Sequence, residues 1–228
     1  MKILAIIPAR GGSKGILNKN IKPLNEKPLI GYTIEQAKNS KLIDKVVVST
    51  DNEKIKKVSL DFDAQVIDRP NELATDEALS EPVLFHALDE LKKESYEPDI
   101  IVFLQCTCPF RRKDDIDDAI KMLQSGYDSV IAVFESKWFI WKNENKRGTT
   151  VNFDHNARMR RQDRPKEYTE SGSLFVFSRK GFEQHKNRLF GKIGLYVMPK
   201  NYSFEIDTPI DFKIADFAAK NLIGEDNE

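Results

Sequence analysis

Apolar residues fall in short runs separated by amphipathic stretches. Residues 3–7, Ile-Leu-Ala-Ile-Ile, predict a fully buried strand, and Pro8 closes it because proline has no N–H for a ladder. Residues 28–39 carry Leu29, Ile30, Ile34 and Ala37 on one side, the pattern of a helix. Strands are expected over 44–51 and 64–68, the latter ended by Arg69-Pro70, with Asp51 or Asn52 able to cap the helix between them. Ser80 is expected to cap a helix with Val83, Leu84, Ala87, Leu88 and Leu91 at helical spacing. Residues 99–104 make the most hydrophobic strand and the expected centre of the sheet. A helix over 114–123 and a strand over 129–134 continue the alternation. Such a rhythm implies a Rossmann-like α/β fold, a mostly parallel sheet with helices on both faces.

The rhythm breaks over 135–168, which holds both tryptophans, a polar run at 142–149 and the basic stretch at 158–164. A long irregular segment in a compact domain predicts a lid, a binding loop or an oligomer arm. Strands follow at 173–177 and 195–198, and Thr208-Pro209 opens a last helix with Phe212, Ile214, Ala215, Ala218 and Leu222 on its apolar face. Residues 224–228 are expected to fray. With no repeat and no linker, one domain over 1–228 with an arm at about 135–168 is expected.

Charge narrows the partners. Lys+Arg and Asp+Glu both total 36, which argues against general binding to nucleic acid or an anionic membrane but allows a local basic pocket. No apolar run approaches a membrane span and none resembles a signal-peptide core, so the expected compartment is the cytoplasm. Cys106 and Cys108, with three unclustered histidines, lack the spacing of a zinc site and read as buried thiols in a reducing compartment.

The loop after the first strand carries the chemistry. Gly11, Gly12 and Gly15 let N–H groups turn toward an anion, and Arg10, Lys14 and Lys19 supply cations, so the loop suits phosphates. It is not a P-loop, because Gly15 follows Lys14, and adjacent Gly11-Gly12 breaks the dinucleotide fingerprint. Ligands of open parallel sheets sit beyond the C-terminal strand ends, where this loop, residues 49–51, Arg69, residues 105–111 and the Glu135 region are all expected to share one rim. Arg69 could read a base edge or phosphate, or pair on the surface with Glu72 or Asp76. Glu205-Ile206-Asp207 places two carboxylates on one side of an extended segment, suited to Mg²⁺ with a triphosphate or, more plainly, to a solvated edge. Asp211 could flank the same site or face solvent. The basic group around Arg160 and Arg161 lacks interleaved aromatics and fits an anionic small molecule better than nucleic acid.

Taken in order, the motifs resemble the CMP-sialic acid synthetase family of nonulosonate cytidylyltransferases. Ile-Pro-Ala-Arg-Gly-Gly-Ser-Lys-Gly15, Val48-Ser-Thr-Asp51, Arg69-Pro-x-x-Leu-Ala-x-Asp76, Leu104-Gln105-x-Thr107-x-Pro109-x-Arg111, Glu170-Ser-Gly172-Ser and Ile206-Asp207-Thr-x-x-Asp211 run through most of the chain. The resemblance implies that CTP and an acidic nine-carbon keto sugar give CMP-sugar and pyrophosphate with Mg²⁺. It implies catalytic roles for Arg10, Lys14, Lys19 and Asp207, and nucleotide contacts from these cations with Gly11, Gly12, Ser13, Gly15, Asn20, Arg69 and Ser80. Gln105, Thr107, Arg111, Arg160, Arg161, Gln162 and Tyr168 would meet the sugar, and Asp207 with Glu205 the metal. It also implies a homodimer whose arm reaches the neighbouring site.

Departures concern the sugar. Cys106, Cys108 and Phe110 interrupt a stretch that reads Leu-Gln-Pro-Thr-Ser-Pro-Leu-Arg in many relatives, and Glu205 stands where Asp is common. Thr169-Glu170-Ser171-Gly172 replaces the Arg-Pro-Asn-Gly of some sialate synthetases. Alternatives are a cytidylyltransferase for another acidic sugar or alcohol, a GT-A glycosyltransferase, whose Asp-x-Asp normally lies mid-chain, and a non-catalytic nucleotide sensor.

Overall fold

The opening apolar run forms strand β1 (Ile3–Pro8), buried on both faces and seen in a computed structural model that describes residues 1–221. Leu222 and the expected frayed end at 224–228 lie outside the described residues. A two-residue pair, β2 (Pro23–Leu24) and β3 (Lys27–Pro28), leads into helix α1 (Leu29–Asn39). Then come β4 (Lys45–Thr50), α2 (Glu53–Asp61), β5 (Gln65–Asp68), α3 (Ser80–Lys93), β6 (Ile100–Leu104), α4 (Asp115–Gln124) and β7 (Ser129–Ser136). The hairpin β8 (Trp141–Glu144) and β9 (Arg147–Thr150) interrupts the alternation before β10 (Glu167–Ser178), α5 (Arg179–His185), β11 (Ile193–Val197) and α6 (Pro209–Asn221).

Seven strands make the main sheet in the order β11-β7-β10-β6-β1-β4-β5. As expected, β6 is central. β1 runs parallel to both β4 and β6, whereas β10 runs antiparallel to β6 and β7, so the sheet is mostly parallel. Alternate side chains feed two cores. Leu4 and Ile6 join Leu84, Leu88 and Leu91 of α3 and Phe182 of α5 on one face. Ala5 and Ile7 join α1, α2, α4 and α6 on the other. Helices thus cover both faces, and the loops leaving β1, β4, β5 and β6 gather on one rim.

Caps show where side chains compete for backbone groups. Asn52 caps α2, its Oδ1 accepting from the Lys54 and Ile55 N–H groups at 3.0 and 3.2 Å. Ser80 is the first residue of α3 and not its cap; Leu79 holds that position, and no side chain caps the helix.

The segment read as irregular contains order. β7 and β10 stay paired from Thr169 opposite Phe134 to Glu167 opposite Ser136, and β8 and β9 form a separate two-stranded sheet. Asn145 and Lys146 at the hairpin tip have φ of 53° and 65°, the left-handed pair of a tight two-residue turn. Trp141 and Phe139 pack on Phe153 at ring-centroid distances of 5.3 and 4.8 Å, and Arg158 and Arg164 cover Phe139. Among the described residues, no helix is long and apolar enough to cross a membrane.

Candidate active site

A pocket of about 550 Å³ opens at the rim. β1 delivers Arg10, Ser13, Lys14, Gly15, Lys19 and Asn20 to it; β5 ends in Arg69; β6 delivers Gln105 and Thr107. Ser80 enters from the start of α3, and Glu205 and Asp207 from the extended segment before α6. Twelve of the expected residues therefore share one cavity.

The three loop cations are held differently. Arg10 and Lys14 both pair with Asp76, Arg10 at 2.6 Å. Hydrogen bonds from Lys14 and Arg10 hold the Asp76 carboxyl below its usual range. Lys19 turns inward, its Nζ donating to the Ile206 carbonyl at 2.7 Å and to Asp207 Oδ1 at 3.2 Å. Its side chain is 12% exposed, against 81% for Lys14. Asn20 donates to the Arg10 carbonyl at 3.0 Å and so fixes the loop's two ends to each other.

Gly15 is required by contact: a Cβ there would lie 2.5 Å from the Asp207 carbonyl oxygen. The phosphate loop and the carboxylate segment are thereby packed backbone to backbone. Gly11 and Gly12 stand outside the pocket lining. The Gly11 N–H, expected to face an anion from a ligand, donates to Asp51 at 2.9 Å instead.

The two carboxylates remain distinct. Ile206 is fully buried and its N–H donates to the Thr107 carbonyl at 2.9 Å, so Glu205 and Asp207 point the other way, as an extended segment requires. Partial burial, then the charge of Asp207, raises the Glu205 carboxyl, with Lys19 opposing. Asp211 flanks the carboxylate segment, its Oδ2 accepting from the Asp207 N–H at 3.2 Å, but does not line the pocket. Its Oδ2 accepts from the Thr208 N–H at 2.7 Å and the Thr208 hydroxyl at 2.8 Å, and its own N–H faces Thr208 Oγ1 at 3.3 Å. That reciprocal arrangement is a helix-capping box for α6. Among the described residues, no group of three or more His, Cys, Asp or Glu side chains could hold a metal. Glu205 and Asp207 offer an oxygen-only pair, the donor type of a hard cation that takes further oxygens from a ligand and water.

Two arginines of the rim are buried. Arg69 is 7% exposed and its Nε donates to Ser49 Oγ at 3.2 Å, with Nη2 on the Ser49 carbonyl. Burial lowers it to about 10, but its side chain still lines the pocket. The surface pairing with Glu72 or Asp76 does not form; Asp76 serves the loop. Arg111, expected to meet the sugar, does not line the cavity. Its guanidinium donates to the carbonyls of Ser173 at 2.6 Å and Gln105 at 3.1 Å and to Gln36 Oε1 at 2.9 Å. It braces the strand ends beneath Gln105. Cys106 and Cys108 are buried free thiols, both pushed up to about 12 by burial.

The arm residues lie apart. Arg161 and Gln162 line a separate cleft of about 290 Å³ with Glu135, Lys137, Arg164 and Lys166. Arg160 pairs with Asp163 at 2.5 Å, and Tyr168 sits on β10 opposite Glu135. None of the four reaches the main pocket within this chain. Conversely, Leu79, Val83 and Phe103 form an apolar pocket wall that the sequence reading did not assign, since Val83 and Phe103 carry the signature of core positions. Asp76, expected as a possible partner for Arg69, pairs with Arg10 and Lys14.

The chain matches the cytidylyltransferase family over residues 4–224. It is 37% identical over 235 residues to the post-translational flagellin modification protein B of Campylobacter coli, covering 99% of each chain. It is 37% identical over 219 residues to the N-acylneuraminate cytidylyltransferase of Escherichia coli O18:K1:H7, covering 94% of this chain but 51% of that protein. It is 34% identical to the CMP-N,N'-diacetyllegionaminic acid synthase of Campylobacter jejuni, covering 99% of both. This chain thus spans the whole of some curated relatives and about half of others. In fold it is similar to a CMP:2-keto-3-deoxy-manno-octonic acid synthetase solved with CTP, at a TM-score of 0.72 and 16% identity over 97% of this chain and 100% of that one.

Proposed function

Since this chain belongs to the cytidylyltransferase family, among relatives that make CMP-nonulosonic acids, we propose that it transfers CMP from CTP to an acidic nonulosonic sugar and releases pyrophosphate. The observation that carries this reading is the convergence of Arg10, Lys14 and Lys19 with Asp207 on one rim pocket. Three cations answer the charge of a triphosphate, and the shared carboxylate of Asp76 can exchange for phosphate oxygens. Attack of the anomeric hydroxyl on the α-phosphorus forms one P–O bond as the bond to pyrophosphate breaks. Charge then grows on the leaving group, where positioned cations stabilise the transition state more than the ground state.

Asn20, Arg69 and Ser80 surround the nucleoside, with Leu79, Val83 and Phe103 as its apolar wall. Gln105 and Thr107 face the sugar. Glu205 and Asp207 are the residues that would hold Mg²⁺, and their oxygen-only chemistry supports that choice. When bound, the ion would supply charge neutralisation at the phosphates. Lys19, held by Ile206 and Asp207, keeps the phosphate loop against these carboxylates.

The active unit in this reading is a homodimer. Trp138 and Trp141 are 59% and 53% exposed on the arm, aromatic surface of the kind that anchors interfaces. Arg160, Arg161, Gln162 and Tyr168 would meet an anionic sugar only across such an interface. A CTP-consuming reaction and two buried thiols fit the cytoplasm. The test is pyrophosphate release from CTP with a panel of nonulosonic acids. Release that depends on one of them is expected, and no release with any, or release with a neutral alcohol alone, would overturn the reading.

A further inference from the structure

We propose that Arg188, in the connection after α5, is a positioning residue that sets the start of α3 and thereby the nucleoside wall of the pocket. The inference rests on the nucleotide reading above. Helix α3 begins without a side-chain cap, and Leu79 before it is exposed. Yet Ser80 and Val83, its first and fourth residues, both line the pocket. Something other than a cap must fix that turn.

Arg188 does so from below. Its Nη1 pairs with Glu81 Oε1, the residue after Ser80, and the side chains are 23% and 18% exposed. The guanidinium lies 4.6 Å from the centroid of Phe175 and 5.7 Å from that of Phe103. Those rings stack on each other at 5.4 Å and 17°, and Phe103 is itself part of the pocket wall. Arg188 Nε is buried with no hydrogen-bond partner among the described residues, so the rings and Glu81 are what hold the group. One planar cation therefore ties together the two pieces of the wall, the helix start and the Phe103 ring. Lysine could keep the charge but not the flat stack. Glu81 also lies in the first turn of α3, where the helix dipole favours an anion, so the pair has one preferred geometry.

The experiment compares wild type, Arg188→Ala, Arg188→Lys, Glu81→Gln and the double variant Arg188→Ala/Glu81→Gln. It measures CTP affinity by calorimetry, KM for each substrate, kcat and the thermal midpoint. Arg188→Ala and Glu81→Gln are each expected to weaken CTP binding about tenfold, leaving KM for the sugar and kcat within about threefold, a loss of ground-state nucleotide binding. The double variant should be no worse than Arg188→Ala, because both remove one interaction. Arg188→Lys should recover part of the loss. Unchanged CTP affinity in folded Arg188→Ala overturns the proposal, as does a double variant equal to the product of the singles. If Arg188→Ala does not fold, Glu81→Gln and Arg188→Lys carry the same test, and unchanged CTP affinity in both overturns it. A wild type that neither binds nor turns over CTP overturns the nucleotide reading itself; an active wild type with neutral variants removes only the role of Arg188.

Discussion

The rim pocket and the arm are built on opposite plans. Several polar groups of the pocket are held by partners within the chain: Lys19 bonds to Ile206 and Asp207, Asn20 to Arg10, Arg69 to Ser49. The arm has a core of its own that amounts to Phe139, Trp141 and Phe153 with two covering arginines, and it leaves both tryptophans more than half exposed. All the residues that line the pocket come from one chain, including those proposed to meet the nucleotide. Of its expected sugar-side arginines, Arg160 and Arg161 stand on the arm and Arg111 is buried beneath Gln105. On the function proposed above, the difference would mean that one chain preorganises the phosphate chemistry while part of the sugar recognition awaits a partner.

The sharpest way to break this contrast is at the carboxylates. Asp207→Asn is expected to cut turnover about a hundredfold or more, the scale of losing metal-borne charge stabilisation at the phosphates. Glu205→Asp should be milder than Glu205→Gln, because a shorter ligand keeps its charge. A magnesium titration of each variant checks both, and Asp207→Asn with normal rate and normal magnesium dependence would move the metal elsewhere. Next in size, Lys19→Ala and Arg10→Ala should each slow turnover about a hundredfold at saturating substrates, as removal of a preorganised charge does. Their circular dichroism should match wild type, since neither side chain belongs to the apolar cores. Near-normal turnover in either would remove that cation from the reaction.

The arm is tested by its rings. Burying an aromatic side chain is worth about 1.5–3 kcal/mol, so Ser at Trp138, Phe139 and Trp141 should dissociate a micromolar dimer. Turnover should fall with it, about tenfold, if the arm completes a neighbour's site by positioning the sugar. Sedimentation of both proteins decides, and a monomeric wild type with full turnover sinks the dimer.

The same contrast explains what could be read from the sequence. Continuous apolar runs, their alternation with amphipathic stretches and strand-ending residues revealed the sheet, its central strand and the rim, because these follow from local pattern. Side-chain direction on that rim does not. Arg10 and Arg111 both lie in loops that leave strand ends, yet Arg111 is buried because acceptors at Ser173, Gln105 and Gln36 match its planar fork. Those acceptors lie as far as 75 residues away, so no local signal exists. The hairpin at 141–150 hid for another reason. Its tip places Lys146 in the left-handed region, where lysine gives no warning, and its strands are exposed on both sides.

The smallest expected effect separates Asp207 from Asp211, four residues on. Asp211 and Thr208 cap α6, so Thr208→Ala should cost stability and leave the chemistry alone. Loss of such a cap costs ~1 kcal/mol. For a chain of this length that lowers the melting midpoint by about 2–4 °C. Hydrogen bonds from Thr208 hold the Asp211 carboxyl below the ordinary value of 3.8. The sign follows from linkage: a depressed carboxyl stabilises the fold fully above its unfolded value, and that contribution fades as pH falls through the lower folded one. Thr208→Ala should therefore reduce the difference in stability between neutral pH and about pH 3, by weakening the bonds that favour the ionised carboxylate. Melting curves across that range, beside kcat at neutral pH, check the assignment. A Thr208→Ala protein that melts like wild type but loses turnover would put Thr208 and Asp211 in the reaction, and would erase the distinction between a carboxylate proposed to hold the metal and one that only starts a helix.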